Sequence, residues 1–300
     1  MMTINYTQLP TADLRPGYGP SAYRETDCSP PLLGSLKRYG QLFPLLVTEG
    51  ESGFILVCGH RRAGGITELG FHSVDVIVIP PVTDLEILRL SVSDNGTSTG
   101  FTDAERIRIL KRLFMAHDVA EFDVAEYWMP LLSLPASRDL AAKYRRLCSD
   151  PTLFQAVDTG VITPGNALRT LIIPDEIRPA ILSLIKAWKL TTSESRECIH
   201  ILDELIRRDG MSYEDIVSLT ADDSGLSTLR RIRFPQQAQR HKKLEKLKAT
   251  FPAGCTLRQA RNEGLSMEVV FTGRKELIEK LRFLRQALDS DETRDAIDSF

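Results

Sequence analysis

The sequence predicts an α+β N-terminal domain, a small mixed sheet with helices, followed by a mainly α-helical region and a small C-terminal strand–helix unit. Three observations carry that prediction. Short β-branched or apolar runs such as Phe54-Ile55-Leu56-Val57 and Val74–Ile79 concentrate in the first 80 residues and recur near residue 270. Apolar residues at helical spacing dominate the stretch between. Glycine and proline clusters mark the joints. The 300 residues accommodate two or three domains on the usual length prior, and the joints divide them as 1–95, 96–190, 191–248 and 249–300.

Residues 3 to 9 read as a first strand, after which Pro10, Pro16, Gly17, Gly19 and Pro20 demand an extended, turning connection with no evident chemistry. Pro30-Pro31 opens a short helix whose apolar positions 32, 33, 36 and 39 share one face, with Gly40 as its stop. Gln41-Leu42-Phe43-Pro44 leads into the strand Leu45 to Thr48, and Phe54 to Cys58 returns as the second arm of a hairpin with a long loop. Cys58-Gly59-His60-Arg61-Arg62 then ends a strand and starts a helix. Unpaired N–H groups at that helix start, its positive dipole end and two guanidinium groups favour a phosphate there. Gly64 and Gly65 stand where a helix prefers alanine, at roughly 1 kcal/mol each, which implies a close approach to that backbone.

Val74 to Ile79 is a β-branched strand ended by Pro80-Pro81, and Asp84 to Ser93 is a helix ending in Ser93-Asp94-Asn95. Gly96 to Gly100 reads as a polar hinge, and Thr102 with Glu105 forms a capping box for the amphipathic helix that follows. Val124 to Leu132 and Ser137 to Leu147 make a helix pair about the turn Ser133-Leu134-Pro135-Ala136. Helices are predicted over 175–188, 193–208 and 212–219. The stretch 226–248 is the most basic, and Met267 to Phe271 is a strand before the helix Lys275 to Leu288 and an acidic tail.

Composition bounds the function classes. With 38 basic and 40 acidic residues the net charge is −2, so binding of nucleic acid or membrane would require a local patch. Cys28, Cys58, Cys148, Cys198 and Cys255 lack C-x-x-C spacing, which argues against a zinc ribbon or disulfide framework and fits a reducing cytoplasm. The N-terminus lacks a signal-peptide pattern and no apolar run approaches the roughly 20 residues of a membrane span, so the reading is cytoplasmic, with no membrane partner. The five histidines show no metal-hydrolase spacing.

Three motifs in concert resemble the N-terminal domain of ParB-like partition proteins, a ParB/sulfiredoxin-like fold. They are Leu33 to Pro44 as L-x-S-x-x-x-x-G-Q-x-x-P, the box Gly59-His60-Arg61-Arg62, and the acidic–asparagine pair Asp94-Asn95. The resemblance extends to about residue 172 and implies a helix-turn-helix in the helix pair of the 96–190 region. It also implies CTP, or another nucleoside triphosphate, with Mg2+. The phosphates would lie against Gly40, Gln41, Gly59, His60, Arg61 and Arg62, and the metal on Asp94 and Asn95, whose side-chain oxygens suit a hard cation. DNA is the implied macromolecular partner, with Arg138, Lys143, Arg145, Arg146, Arg230, Arg231, Arg240, Lys242 and Lys243 as candidate phosphate contacts. A Walker-type partition ATPase and a homodimer are implied further partners. The implied roles are chromosome or plasmid partition, mobile-element maintenance or transcription regulation, in a cytoplasmic, nucleoid-associated protein.

The sequence departs from that family at telling places. His60 stands where a glutamate is usual, Asp94 replaces a longer glutamate, and Ser98 or Thr99 lies near the place of an expected arginine. These departures favour phosphate binding over turnover, leaving a weak CTPase-like activity open and a nuclease less so. Two other classes stay open, an enzyme on the same fold, as a nuclease or nucleotide-dependent kinase, and a ligand-free interaction protein. Sulfiredoxins share the fold, but Cys58 precedes Gly59 instead of following it, which puts the thiol in the strand.

Overall fold

The computed structural model describes residues 5–24, 27–51, 53–98, 100–219, 225–235, 245–246, 248–249, 251, 253–259 and 265–288. The chain forms two compact units, residues 1–199 and 200–300.

The first unit opens with β1 (Asn5–Pro10), α1 (Pro30–Tyr39), β2 (Leu45–Gly50), β3 (Gly53–Cys58), α2 (His60–Glu68), β4 (Ser73–Ile79) and α3 (Asp84–Ser98). The strands form one mixed sheet in the order β1-β4-β2-β3, with β2 parallel to β4 in the register Leu45↔Val76 to Thr48↔Ile79 and the other pairs antiparallel. Its β-branched strands bury both faces. Leu45, Val47, Leu56, Val74 and Val76 pack with Leu36 of α1 and Ala63 and Ile66 of α2, while Val57, Cys58 and Ile79 pack with Ile87 of α3.

Two local expectations change. Gly50 pairs with Gly53, so the hairpin connection is the two residues 51–52 instead of a long loop. Helix α3 runs to Ser98, through much of the expected hinge. Gly96 sits within it because a Cβ there would meet Leu131 O at 3.2 Å; its smallness serves packing, not flexibility. The connection that remains ends at Gly100, whose φ of 68° is left-handed.

Helix α4 (Asp103–Lys111) begins with the expected capping box and continues into a π-helical turn over Arg112–Ala116. A second helix, interrupted by another π turn, covers Glu121–Asp123, Val124–Trp128 and Met129–Leu131. It is joined to α5 (Arg138–Ser149) through Ser133, which takes the positive φ of 56° that a turn glycine would supply. α6 (Pro151–Asp158), α7 (Pro164–Thr170) and α8 (Arg178–Ala187) complete the bundle, with α4 packed on both α5 and α6. Arg178 is buried, paired with Asp150 at 2.6 Å and donating to Leu171 O and Ile173 O, so its charge is compensated inside the bundle.

α9 (Thr192–Asp209) spans the division between the units. The second unit holds α10 (Tyr213–Leu219), α11 (Leu226–Arg233), the antiparallel pair β5 (Cys255–Gln259) and β6 (Leu265–Val269), and α12 (Arg274–Leu288). The acidic tail from residue 289 lies outside the described residues. No described helix is long and apolar enough to cross a membrane.

Candidate functional site

The glycine–arginine corner forms where β3 ends. Gly59 takes φ 100°, and a Cβ there would meet the Leu45 side chain at 2.7 Å, so glycine is needed both for the turn and for its contact with the sheet. Helix α2 starts at once, with no side chain capping its first N–H groups. The close approach expected at α2 is found at Gly65. A Cβ there would come within 2.6 Å of Cys28 Sγ and 2.8 Å of Leu36 Cδ1, so the close approach to α2 is made by the chain's own core.

A cavity of about 230 Å³ opens at the start of α2, lined by Ser21, Tyr23, Arg24, Leu32, Gly59, His60, Arg61, Arg62, Ser91, Asp94 and Asn95. The fold thus brings together six of the eight residues expected around the phosphates and metal. Gly40 and Gln41 lie outside it. Gly40 closes α1 with φ 71°, and Gln41 bonds the backbone of β4, its Nε2 donating to Asp75 O at 2.7 Å and its Oε1 accepting from Asp75 N at 2.8 Å.

The two arginines differ in what they touch. Arg61 is exposed and makes no hydrogen bond or ion pair among the described residues. Arg62 is half-buried and donates to Phe43 O at 2.8 Å and Pro44 O at 3.0 Å, so it holds the loop between α1 and β2; burial pushes its pKa down, with Asp94 opposing that. His60 is 6% exposed and bonded at both ring nitrogens. Gly17 N–H donates to Nδ1 at 3.2 Å, which leaves the proton on Nε2 to meet Ser21 Oγ at 2.9 Å, and that hydroxyl donates to Leu56 O at 2.5 Å. Burial, aided by the charge of Arg112, lowers the His60 pKa to about 4, so the ring is neutral at pH 7. Cys58 is buried, and burial together with Asp94 pushes its thiol up to about 12, consistent with an unreactive strand residue.

The acidic–asparagine pair comes from the last turns of α3. Asp94 is exposed at the cavity. Asn95 has its amide fixed, with Nδ2 donating to Tyr23 OH at 2.8 Å and to Ser91 O at 2.8 Å, while Oδ1 accepts from Arg24 Nη1 at 2.6 Å. No group of three or more His, Cys, Asp or Glu residues gathers among the described residues. One carboxylate and one amide oxygen suit a Mg2+ ion that arrives on phosphate oxygens and keeps much of its water, and do not make a protein-only cage.

Sequence reasoning missed Ser21, Tyr23, Arg24, Leu32 and Ser91. Four of these are ordinary polar residues or arginine in loop or helix contexts, and no local spacing marks them; only the fold carries the loop from Gly17 to Arg24 across the corner.

The candidate DNA contacts are scattered. On α5, Arg138, Lys143 and Arg146 are exposed, with Lys143 paired to Asp139 at 2.7 Å. Arg145 is engaged in the fold, 3.1 Å from both Asp118 and Glu121, donating to Val119 O at 2.7 Å and lying over the Phe114 ring. In the second unit Arg230 and Arg231 are exposed on α11. Arg240, Lys242 and Lys243 lie outside the described residues.

No protein-family profile matches the chain. Among curated proteins it is 28% identical over 172 residues to the chromosome-partitioning protein Spo0J of Thermus thermophilus, covering 57% of this chain and 61% of that protein. It is 20% identical over 184 residues to a probable chromosome-partitioning protein ParB of Campylobacter jejuni, covering 61% of this chain and 64% of that one. The matches thus span less than two thirds of those relatives. Among solved structures, C-terminally truncated ParB of Caulobacter crescentus aligns in its complex with the centromeric parS site, at 20% identity, 65% of this chain, 98% of that chain and a TM-score of 0.40. It aligns again in its complex with CTP-gamma-S, at 19% identity, 72% of this chain, 97% of that chain and a TM-score of 0.29. The likeness rests on the sequence matches and not on these superpositions. By sequence, this chain is similar to chromosome-partitioning proteins of the ParB and Spo0J kind, the family that its three N-terminal motifs resemble.

Proposed function

We propose that the chain is a ParB-like DNA-binding protein whose corner at Gly59–Arg62 binds the polyphosphate of a nucleoside triphosphate, CTP by resemblance, with Mg2+ near Asp94 and Asn95. The observation that carries the reading is the meeting of exposed Arg61, the uncapped start of α2 and the end of α3 around one cavity. Its volume of about 230 Å³ is below the ~300–1,000 Å³ of whole-ligand clefts, which suits a phosphate tail with the rest of the nucleotide outside or admitted by movement. When bound, the cation would offset phosphate charge. The chain's own contribution is the Arg61 fork, the N–H groups of α2 and the two oxygens of α3.

Calorimetry with each nucleoside triphosphate and Mg2+ tests this. Arg61→Ala should weaken binding by about tenfold to a hundredfold, the range for hydrogen bonds to charged groups, and leave the unfolding midpoint unchanged because Arg61 holds nothing in the fold. Unchanged affinity in that variant, or no heat with any nucleotide, would sink the reading.

The exposed basic residues of α5 and α11 are the proposed DNA contacts, and likeness to the curated chromosome-partitioning proteins supports a role in partition. Self-association is supported by exposed Val270, Phe271, Ile278, Leu281 and Phe283 in the C-terminal unit. A Walker-type ATPase is the further partner that the resemblance implies.

A further inference from the structure

The loop Gly17–Arg24 crosses from the corner to helix α4. His60 and Ser21 pin its beginning, as described above. From the other side, Arg112 reaches it from the π turn after α4, Nη1 donating to Gly19 O at 2.9 Å and to Pro20 O, and Nη2 to Ala22 O at 2.5 Å. Tyr23 OH donates to Ser91 O at 3.1 Å on α3. The loop ends at Arg24, whose guanidinium bonds Asn95 Oδ1 at 2.6 Å and Gly100 O, and lies over the Phe101 ring at 5.5 Å. Arg24 Nε is 2.7 Å from Glu105 Oε1, a contact of charge and not an aligned hydrogen bond, and Glu105 Oε2 in turn accepts the Thr102 N–H at 2.8 Å. One side chain therefore ties the end of α3, the connection at Gly100 and the first turn of α4.

We propose that Arg24 is a latch that ties the start of α4 to Asn95 and is displaced when the Asn95 amide oxygen takes a cation at the corner in its place. The inference rests on the proposed nucleotide–Mg2+ reading. Asn95 has a single side-chain oxygen, and the bonds of its Nδ2 to Tyr23 and Ser91 fix the direction in which that oxygen faces. The oxygen that holds Arg24 is the same one a hard cation would use. A guanidinium and a divalent cation on one half-buried oxygen repel strongly, so one must leave. Arg24 then loses its hold beside Gly100 and Glu105, and the first turn of α4 loosens. Arg24 is a positioning residue in this scheme; it acts through Asn95 and the cap of α4.

Hydrogen exchange on the full chain reads the latch directly, in peptides covering residues 100–106, with calorimetry on the same samples. With CTP and Mg2+ those amides should exchange at least about fivefold faster than with CTP and a chelator, as expected of a local opening. Arg24→Gln should exchange fast without ligand and show no further rise with it, while still melting cooperatively. If that variant does not fold, Glu105→Gln replaces it, since glutamine keeps the acceptor for the Thr102 N–H and removes the charge that holds Arg24; it should show an intermediate rate. Binding heat with unchanged or slower exchange at 100–106 overturns the latch and leaves the binding reading standing. No heat with any nucleoside triphosphate overturns both.

Discussion

His60 lines the cavity with both ring nitrogens already bonded within the protein. Its neutral form is therefore a folding requirement. With a folded pKa of about 4 against about 6.5 unfolded, the unfolded chain takes up the proton first as pH falls. This group's contribution is therefore full above about pH 6.5 and is lost between there and about pH 4, a change on the order of 3 kcal/mol. Urea titrations across that range should show His60→Gln to be less stable than the native chain at pH 7 but with a shallower loss on acidification. A parallel loss in both proteins would mean that His60 protonates as freely folded as unfolded. The neighbouring arginines make the complementary point, since one faces solvent and its neighbour braces a loop although the sequence shows two equivalent charges.

At the scale of elements, α2 is positioned by what lies beneath it. Gly65→Ala should gain about 1 kcal/mol of helix propensity yet lose more to the contacts at 2.6 and 2.8 Å, for a net destabilisation of about 1–2 kcal/mol. Adding Cys28→Ala should recover part of that loss in a double-mutant cycle, and additive losses would show that the Cys28 sulfur is not the obstacle. The elements themselves were legible in the sequence, because β-branched runs, the capping box at Thr102–Glu105 and proline or glycine stops are local signals. The run of α3 through Gly96 to Ser98 was not, since a Gly-Thr-Ser string looks like a hinge until Leu131 is seen packed beside the glycine. The same limit hid half of the cavity. Arg61, Arg62, Asp94 and Asn95 carry their chemistry in their spacing, but Ser21, Tyr23 and Arg24 matter only because Arg112, some 90 residues on, holds their loop in place.

For the whole molecule, a net charge of −2 means that the proposed attraction to DNA would have to come from local groups, such as the exposed ones on α5 and α11, and not from the chain's overall field. Binding to a mixed-sequence duplex, followed by anisotropy, should fall on a straight line of log K against log salt with a slope of about −3 to −5. Replacing Arg138 and Arg146 together by alanine should flatten that slope by about 1.8 with at most a small drop in melting point, as both side chains are exposed and Arg146 holds the fold only through a long 3.5 Å bond to Leu171 O. An unchanged slope would remove α5 from the interface. Arg145 is the wrong residue for such a test, because its ion pairs and the Phe114 ring make it part of the bundle.

Gln41 has a consequence for how such chains are recognised. Its side-chain amide gives and accepts a bond with the Asp75 backbone just before β2 joins β4 at Leu45↔Val76, so it ties the loop after α1 to β4 where the parallel pairing begins. A G-Q-x-x-P signature is thus a mark of sheet architecture. The sheet of this chain needs that glutamine whether or not the corner holds a ligand, whereas exposed Arg61 braces nothing in the fold.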